Sequence, residues 1–239
     1  MIPIAPSSSS APNLPSLSSA QVREVDRLAS ERFSIPIDWL MEAAGWQLAR
    51  HCRSLTAVLC GKGNNGGDAL AAARHLRRWG RLASVACVDR PSLAGPAAME
   101  ALALEAMGVE IRSKPLLEGA QMILDGLLGT GLSRSPEGRY AEWIELANAS
   151  GKKIVSADLP SGLEADTGKA HPPTIRAALT VTFGLPKVGL LLADGPASAG
   201  VVWVADIGIP PAAYAMVGAP MPEHLYSMHD RFELRGMTP

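Results

Sequence analysis

The sequence predicts an α/β protein built on a mainly parallel sheet with helices on both faces. Three observations carry that prediction. Apolar runs of strand length recur at 55–60, 82–88, 122–124, 153–157, 178–183 and 201–205, with helix-period stretches between several of them. Three of the turns at the ends of these runs hold an acid beside Gly or Ser, namely Asp68, Asp125 and Asp158. Ligands of open parallel sheets bind beyond the carboxyl ends of the strands, so three such acids point to one shared cleft. Finally, 239 residues at 47% hydrophobic content suffice for a single doubly wound unit.

Taken in order, the chain opens with a Ser/Pro-rich segment. It has neither the charged and apolar regions of a signal peptide nor the arginines of a transit peptide, and residues 1–17 are expected to be a disordered tail. Ser18 or Ser19 can cap a first helix with Val22, Val25, Leu28 and Ala29 on one face. Pro36 separates it from a second helix carrying Leu40, Met41, Ala44 and Leu48. Trp39 and Trp46 of that helical pair are either ordinary core or a dimer face outside the sheet. Glu42 reads as a partly exposed acid, and Arg74, Arg77 and Arg78 as a solvated helix face.

Strand 55–60 then enters G-K-G-N-N-G-G-D at 61–68, followed by a helix expected over 67–79. Glycines here let a ligand approach the main chain, and Asn64 and Asn65 add amide and carbonyl groups. Gly61, Gly63 and Gly66, with Asp89 further on, match a dinucleotide fingerprint. Asp68 argues against a pyrophosphate at this turn, because its charge opposes a phosphate at the same amides. A helix over 94–107 ends at Gly108, and a short strand near 109–111 follows. Ser135 followed by Pro136 suggests an N-cap and first helical residue, giving a helix to about Ala149. Strands 153–157, 178–183 and 201–205 complete the sheet, ending near Asp158, Lys187 and Asp206. Lys187 could face the cleft as the charge partner of an acid or a phosphate, or stand as a solvated lysine at a strand end, and Asp166 reads as a turn residue. The expected domain is 18–215, with 216–239 a tail or linker.

Composition excludes several classes. A net charge of −1 gives no electrostatic reason to expect nucleic acid or an anionic membrane as partner. The apolar stretch Ile207–Pro222 is broken by Gly and Pro, so no membrane span is expected. Cys52, Cys60 and Cys87 lack metal-ligand spacing, and free thiols in a reducing cytoplasm are the simpler reading. The five histidines show no ligand spacing either.

G-K-G-N-N-G-G-D at 61–68, D-G-L-L-G-T-G-L-S-R at 125–134, D-L-P-S-G-L-E-A-D-T-G at 158–168 and T-V-T-F-G-L-P-K at 180–187 together resemble the YjeF N-terminal domain family. Its enzymatic members are NAD(P)H-hydrate epimerases. The resemblance implies a Rossmann-like three-layer αβα sandwich with an N-terminal helical pair, commonly a homodimer, that binds one potassium ion. The implied substrate is NADH or NADPH hydrated at C6 of the nicotinamide ring (NADHX or NADPHX). The enzyme interconverts the R and S epimers, so that an ADP- or ATP-dependent dehydratase, fused or separate, can repair both. Mapped by motif, the resemblance assigns substrate contacts to Asn64, Asn65, Gly66, Gly67, Asp68, the loop Gly129, Thr130, Gly131, Leu132, Ser133, Arg134 and Ser135, and to Asp158. It assigns potassium to Asn65, Asp125 and Ser161. Oxygen ligands of these kinds suit a hard monovalent cation. The Gly129–Ser135 loop, expected just before a helix N-terminus, is the better phosphate cradle. Departures from the family pattern fall at Ala43, Lys62, Ala69 and Ala178.

Epimerisation at C6 needs hydroxide to leave and water to return on the other face. Asp158 is the expected general acid/base, since it ends a central strand in a ligand-facing turn. Its alternative role is to hold the ribose or the turn. Two other readings are an ordinary NAD-dependent oxidoreductase and a non-catalytic nucleotide-binding or scaffold module of the same fold.

Overall fold

The computed structural model describes residues 14–234. Most of the expected N-terminal tail lies outside that range; Leu17, at its end, is buried. Strands β1 (Thr56–Cys60), β2 (Leu82–Cys87), β3 (Ile111–Arg112), β4 (Met122–Gly126), β5 (Lys153–Ala157), β6 (Leu179–Phe183), β7 (Val201–Ala205) and β8 (Arg231–Glu233) form one sheet in the order 3-2-1-4-5-6-7-8. Every pairing is parallel except β7 with β8. The order reverses between β1 and β4, and such a switch point opens a crevice at the carboxyl ends of the two strands.

Helices cover both faces, so β1 is buried along its whole length and reads as a continuous apolar run. On one face α2 (Ile37–His51), α3 (Asn64–Arg78) and α4 (Gly95–Ala106) pack on Val58, Cys60, Val85, Leu124 and Val155. On the other, α5 (Arg139–Ala149) brings Trp143, Ile144 and Ala147 onto Leu59, Ala86 and Ile123. The α2–α3 contact depends on small residues. A Cβ on Gly45 would lie 2.4 Å from Cβ of Ala71. Overpacking there costs about 1–3 kcal/mol, more than the roughly 1 kcal/mol of helix propensity that alanine would return, so glycine prevails.

Helix α1 (Ser19–Glu31) starts at Ser18, whose hydroxyl accepts from the Gln21 N–H while the Gln21 side chain accepts from the Ser18 N–H. With α8 (Pro211–Met216) it builds a separate apolar cluster of Leu17, Val25, Leu28, Leu185 and Tyr214. Short helices α6 (Val188–Leu191) and α7 (Gly195–Ala199) complete the chain between β6 and β7.

Several expectations give way here. Residues 216–234 are not a tail: β8 pairs with β7, Met221 is buried, and Arg50 holds Asp230. Helix α3 starts at Asn64, not 67, and α5 starts at Arg139, not at Ser135. Trp39 is 65% exposed, so it is not core. Trp46 is part-exposed and meets Trp79 edge-on at 5.3 Å. Arg74 is not simply solvated, since it bridges Glu42 and Glu100. No helix of the described residues is long and apolar enough to cross a membrane.

Candidate active site

The crevice at the β1/β4 switch point opens into a cavity of about 540 Å³. Its floor is the turn after β1 and the loop after β4, and its apolar wall includes Leu40, Met41 and Ala44 of α2. The helical pair therefore closes the site instead of standing apart from it. Glycines set how closely the two turns approach. A Cβ on Gly61 would sit 1.9 Å from the Leu127 carbonyl oxygen, and one on Gly66 would sit 2.1 Å from that of Gly61. One on Gly67 would meet Met41 at 2.4 Å. Gly66 and Gly67 are thus close-packed positions that do not line the cavity.

Asn64, Asn65 and Asp68 do line it. So do Gly129 to Arg134, whereas Ser135 lies outside, exposed. The Gly129–Ser135 loop does not lead directly into a helix. Pro136 is buried and Gly138, at φ +54°, turns the chain before α5 begins. Any phosphate cradle here relies on the loop's own amides and hydroxyls and Arg134, without a helix dipole behind it. Asp89 also stands off the cavity and accepts the Ser92 hydroxyl at 2.5 Å, so the fingerprint acid is not aimed at a ribose.

Asp125, at the end of β4, is fully buried and hydrogen-bonded on both oxygens. Oδ1 accepts the Ser161 hydroxyl at 2.6 Å and the Leu127 N–H at 3.2 Å. Oδ2 accepts the Ser156 hydroxyl at 2.9 Å and the Ser161 N–H at 3.0 Å. Burial raises its pKa, and these donors pull the other way. The Leu128 peptide joins this knot to Asn65. Its N–H donates to Ser161 Oγ at 2.9 Å, and its carbonyl accepts from Asn65 Nδ2 at 2.8 Å. Asn65 Oδ1 is left buried with no hydrogen-bond partner. Asn65, Asp125 and Ser161 are thereby linked in one hydrogen-bonded group, of which Asn65 lines the cavity.

Asp158 ends β5 in the left-handed region, at φ +62°, a conformation that costs a non-glycine residue and is held by its N–H donating to the Val181 carbonyl at 2.8 Å. Its Oδ1 accepts from Lys187 Nζ at 2.5 Å, Thr182 Oγ1 at 3.0 Å and the Phe183 N–H at 3.3 Å. Lys187 is buried and also donates to the Phe183 carbonyl at 3.1 Å, so the lysine and the acid are fixed as a pair. Asp68 and Asp26 face this pair with no donor to either carboxyl among the described residues. Desolvation, then the charges of Asp158 and Asp26, push the Asp68 carboxyl well above the usual carboxylate range, against the pull of Lys187. Desolvation likewise lifts Asp26 to about 6, with Lys187 opposing and Asp158 adding. Asp26 was not among the residues singled out in the sequence.

Residues 37–189 match the family described as YjeF-related protein N-terminus, which is well over half of the chain. The chain belongs to that family. Among its similar relatives is an NAD(P)H-hydrate epimerase of Rhodopirellula baltica, 40% identical over 209 residues, covering 82% of this chain and 86% of the relative. A bifunctional NAD(P)H-hydrate repair enzyme Nnr of Thermofilum pendens is 39% identical over 209 residues, and there the match covers only 40% of the relative. In fold, the crystal structure of the yeast protein ynu0 superimposes with a TM-score of 0.75 at 23% identity, covering 92% of this chain and all of that one. The YjeF-related fold is thus a Rossmann-like, mainly parallel α/β sandwich in this chain.

Proposed function

We propose that the chain is an NAD(P)H-hydrate epimerase that interconverts the R and S forms of C6-hydrated NADH and NADPH. The observation that supports it most directly is the Asp158–Lys187 pair, held in a cavity at the switch point between apolar α2 and the loop after β4. The dihydropyridine-derived ring suits the apolar wall, and the Gly129–Arg134 loop suits the phosphates. Asp158 acts as general acid/base at C6. The ring nitrogen's lone pair expels the hydroxyl as Asp158 protonates it, and water adding to the resulting C=N ring on the opposite face gives its proton to a carboxylate of the cavity. Lys187, fixed on Oδ1, orients the carboxyl and leaves Oδ2 for the substrate.

Asn65, with Asp125 and Ser161 behind it, would hold a potassium ion, and the Asp125 and Ser161 oxygens would exchange present hydrogen bonds for the ion to ligate it directly. Asn65 Oδ1 is a buried oxygen with an unused lone pair, and Asp125 supplies the negative charge beside it through Ser161 and Leu128. Potassium held there supplies a fixed positive charge near the loop that carries the phosphate-facing residues. A homodimer in the cytoplasm, working with an ADP- or ATP-dependent dehydratase, completes the reading. The bifunctional relatives favour that partnership.

The reading is tested with a dehydratase specific for the S form. Alone, that enzyme leaves the R hydrate behind; adding this chain is expected to drive the remainder to NADH at a rate proportional to the amount added. Residual R hydrate that persists at any level of the chain refutes the activity.

A further inference from the structure

The cavity holds a carboxyl that no sequence motif marks. Asp26 lies in the middle of α1, and the chain around that helix is tied to the rest of the fold at three places. Leu17 donates its N–H to Pro186 at 2.8 Å and accepts from Val188 at 3.0 Å, on either side of Lys187. The Ser19 N–H and hydroxyl both donate to the Asp166 carboxylate, at 2.5 and 2.7 Å, so Asp166 is an anchor for α1 and not only a turn residue. The Gln21 side-chain amide donates to the Val217 carbonyl at 3.0 Å. The helix is therefore a fixed wall, and Asp26 projects from it into the cavity without a hydrogen-bond donor among the described residues. The groups around it are Lys187 and Asp158 from the sheet end, Asp68 from α3 and Tyr214 from α8, with Arg23 one turn earlier on its own helix.

We propose that Asp26 is a second proton-transfer residue for the epimerisation, serving the face of the hydrated ring opposite the one served by Asp158. The inference rests on the epimerase reading. Inversion at C6 breaks one C–O bond and makes another on the opposite face. As the first bond breaks, its electron pair leaves with oxygen, the nitrogen lone pair forms a C=N bond, and one carboxylic acid supplies the proton that releases water. As the second forms, the C=N pair returns to nitrogen and a carboxylate takes the proton of the incoming water. One carboxyl can do both only if ring or water changes sides; two carboxyls on different walls, one on the sheet end and one on α1, do it without either movement. In the reverse direction the two exchange roles. An Asp26 carboxyl lifted to about 6 by burial is able to serve as either acid or base near neutral pH.

The test follows pure R hydrate in ¹⁸O-enriched water, separating the epimers by chromatography and reading isotope content by mass. In the wild type, S hydrate carrying ¹⁸O is expected. In Asp26→Asn, inversion is expected to fall at least about 100-fold, while ¹⁸O uptake into the R form, which needs only the Asp158 face, falls less than about tenfold. The dependence of turnover on a group near pH 6 should disappear in the same variant. Asp26→Glu, which keeps the carboxyl, should recover inversion to within about tenfold of wild type. Unchanged inversion in Asp26→Asn overturns the proposal. So does parallel loss of inversion and isotope uptake that glutamate does not restore, since that marks a structural role. A wild type that neither inverts nor exchanges fails the epimerase reading itself, a result distinct from either.

Discussion

Asp125, buried at the end of β4, and Asp68, in α3 on the cavity, are opposites. Asp125 has every lone pair occupied, by two serine hydroxyls and two backbone N–H groups. Asp68 faces the cavity with no donor among the described residues, and its neighbours are two more acids and one lysine. Burial raises the pKa of both, but only in Asp125 is the ionised form supported by hydrogen bonds. The difference teaches how to separate structure from chemistry at a strand end. A saturated carboxylate fixes the turns that shape the site, while bare carboxyls beside a fixed ion pair are available to substrate.

The contrast can be broken in several ways. The largest effect is expected at the chemical end. Asp158→Asn should lower the epimerisation rate by about 10³-fold, because general acid/base groups contribute about 10²–10⁴. It should also lower the unfolding midpoint without unfolding the chain, because buried Lys187 loses its counter-charge. Steady-state rates and a urea melt on one sample check this, and a near-normal rate removes Asp158 from its role. At the structural end, Asp125→Ala should destabilise the fold by about 3–5 kcal/mol, since four buried donors lose their acceptor together. Equilibrium denaturation measures it; a loss below about 1 kcal/mol contradicts the saturated description. Gly66→Ala should cost about 1–3 kcal/mol, because a Cβ would press on the Gly61 carbonyl.

The smallest effect has the opposite sign. A carboxyl whose folded pKa is raised contributes stability below its unfolded value of about 4 and loses it as pH rises through the folded value. Asp68 therefore destabilises the native chain at neutral pH, and Asp68→Asn removes that loss. The variant should melt a few degrees higher, roughly 2–5 °C, at pH 7.5 and no higher at pH 4, while turning substrate over more slowly. A melting difference independent of pH would show that Asp68 is not held in the environment described.

Much of this was legible in the sequence because strand-end acids beside Gly and Ser are rare in combination, and the strand runs are apolar on both faces. Seven of the eight strands, six as apolar runs and β3 as a short strand near 109–111, and the shared cleft at their carboxyl ends follow from the sequence. The rest was hidden for identifiable reasons. Two consecutive glycines at 66–67 argue against helix, yet α3 begins ahead of them, because close packing on Gly61 and Met41 outweighs their weak propensity. Ser135–Pro136 carries the local signature of a helix start, but Pro136 is spent on burial and the chain turns at Gly138 first. Arg231–Glu233 is short and charged; only the open edge of β7 makes it a strand. Asp26 sits on a helix rich in charges such as Arg23, Glu24 and Arg27, where spacing cannot tell a solvated acid from one that enters a cavity.

The central claim is tested most directly by the time course of the R/S ratio. Freshly separated R hydrate of NADH, incubated with the purified chain in potassium buffer, is followed by chromatography against buffer alone. Equilibration at least about 100-fold faster than the blank, slowed when potassium is replaced by a larger organic cation, is the predicted result. An R/S ratio that drifts at the blank rate, with the chain folded and potassium present, contradicts it.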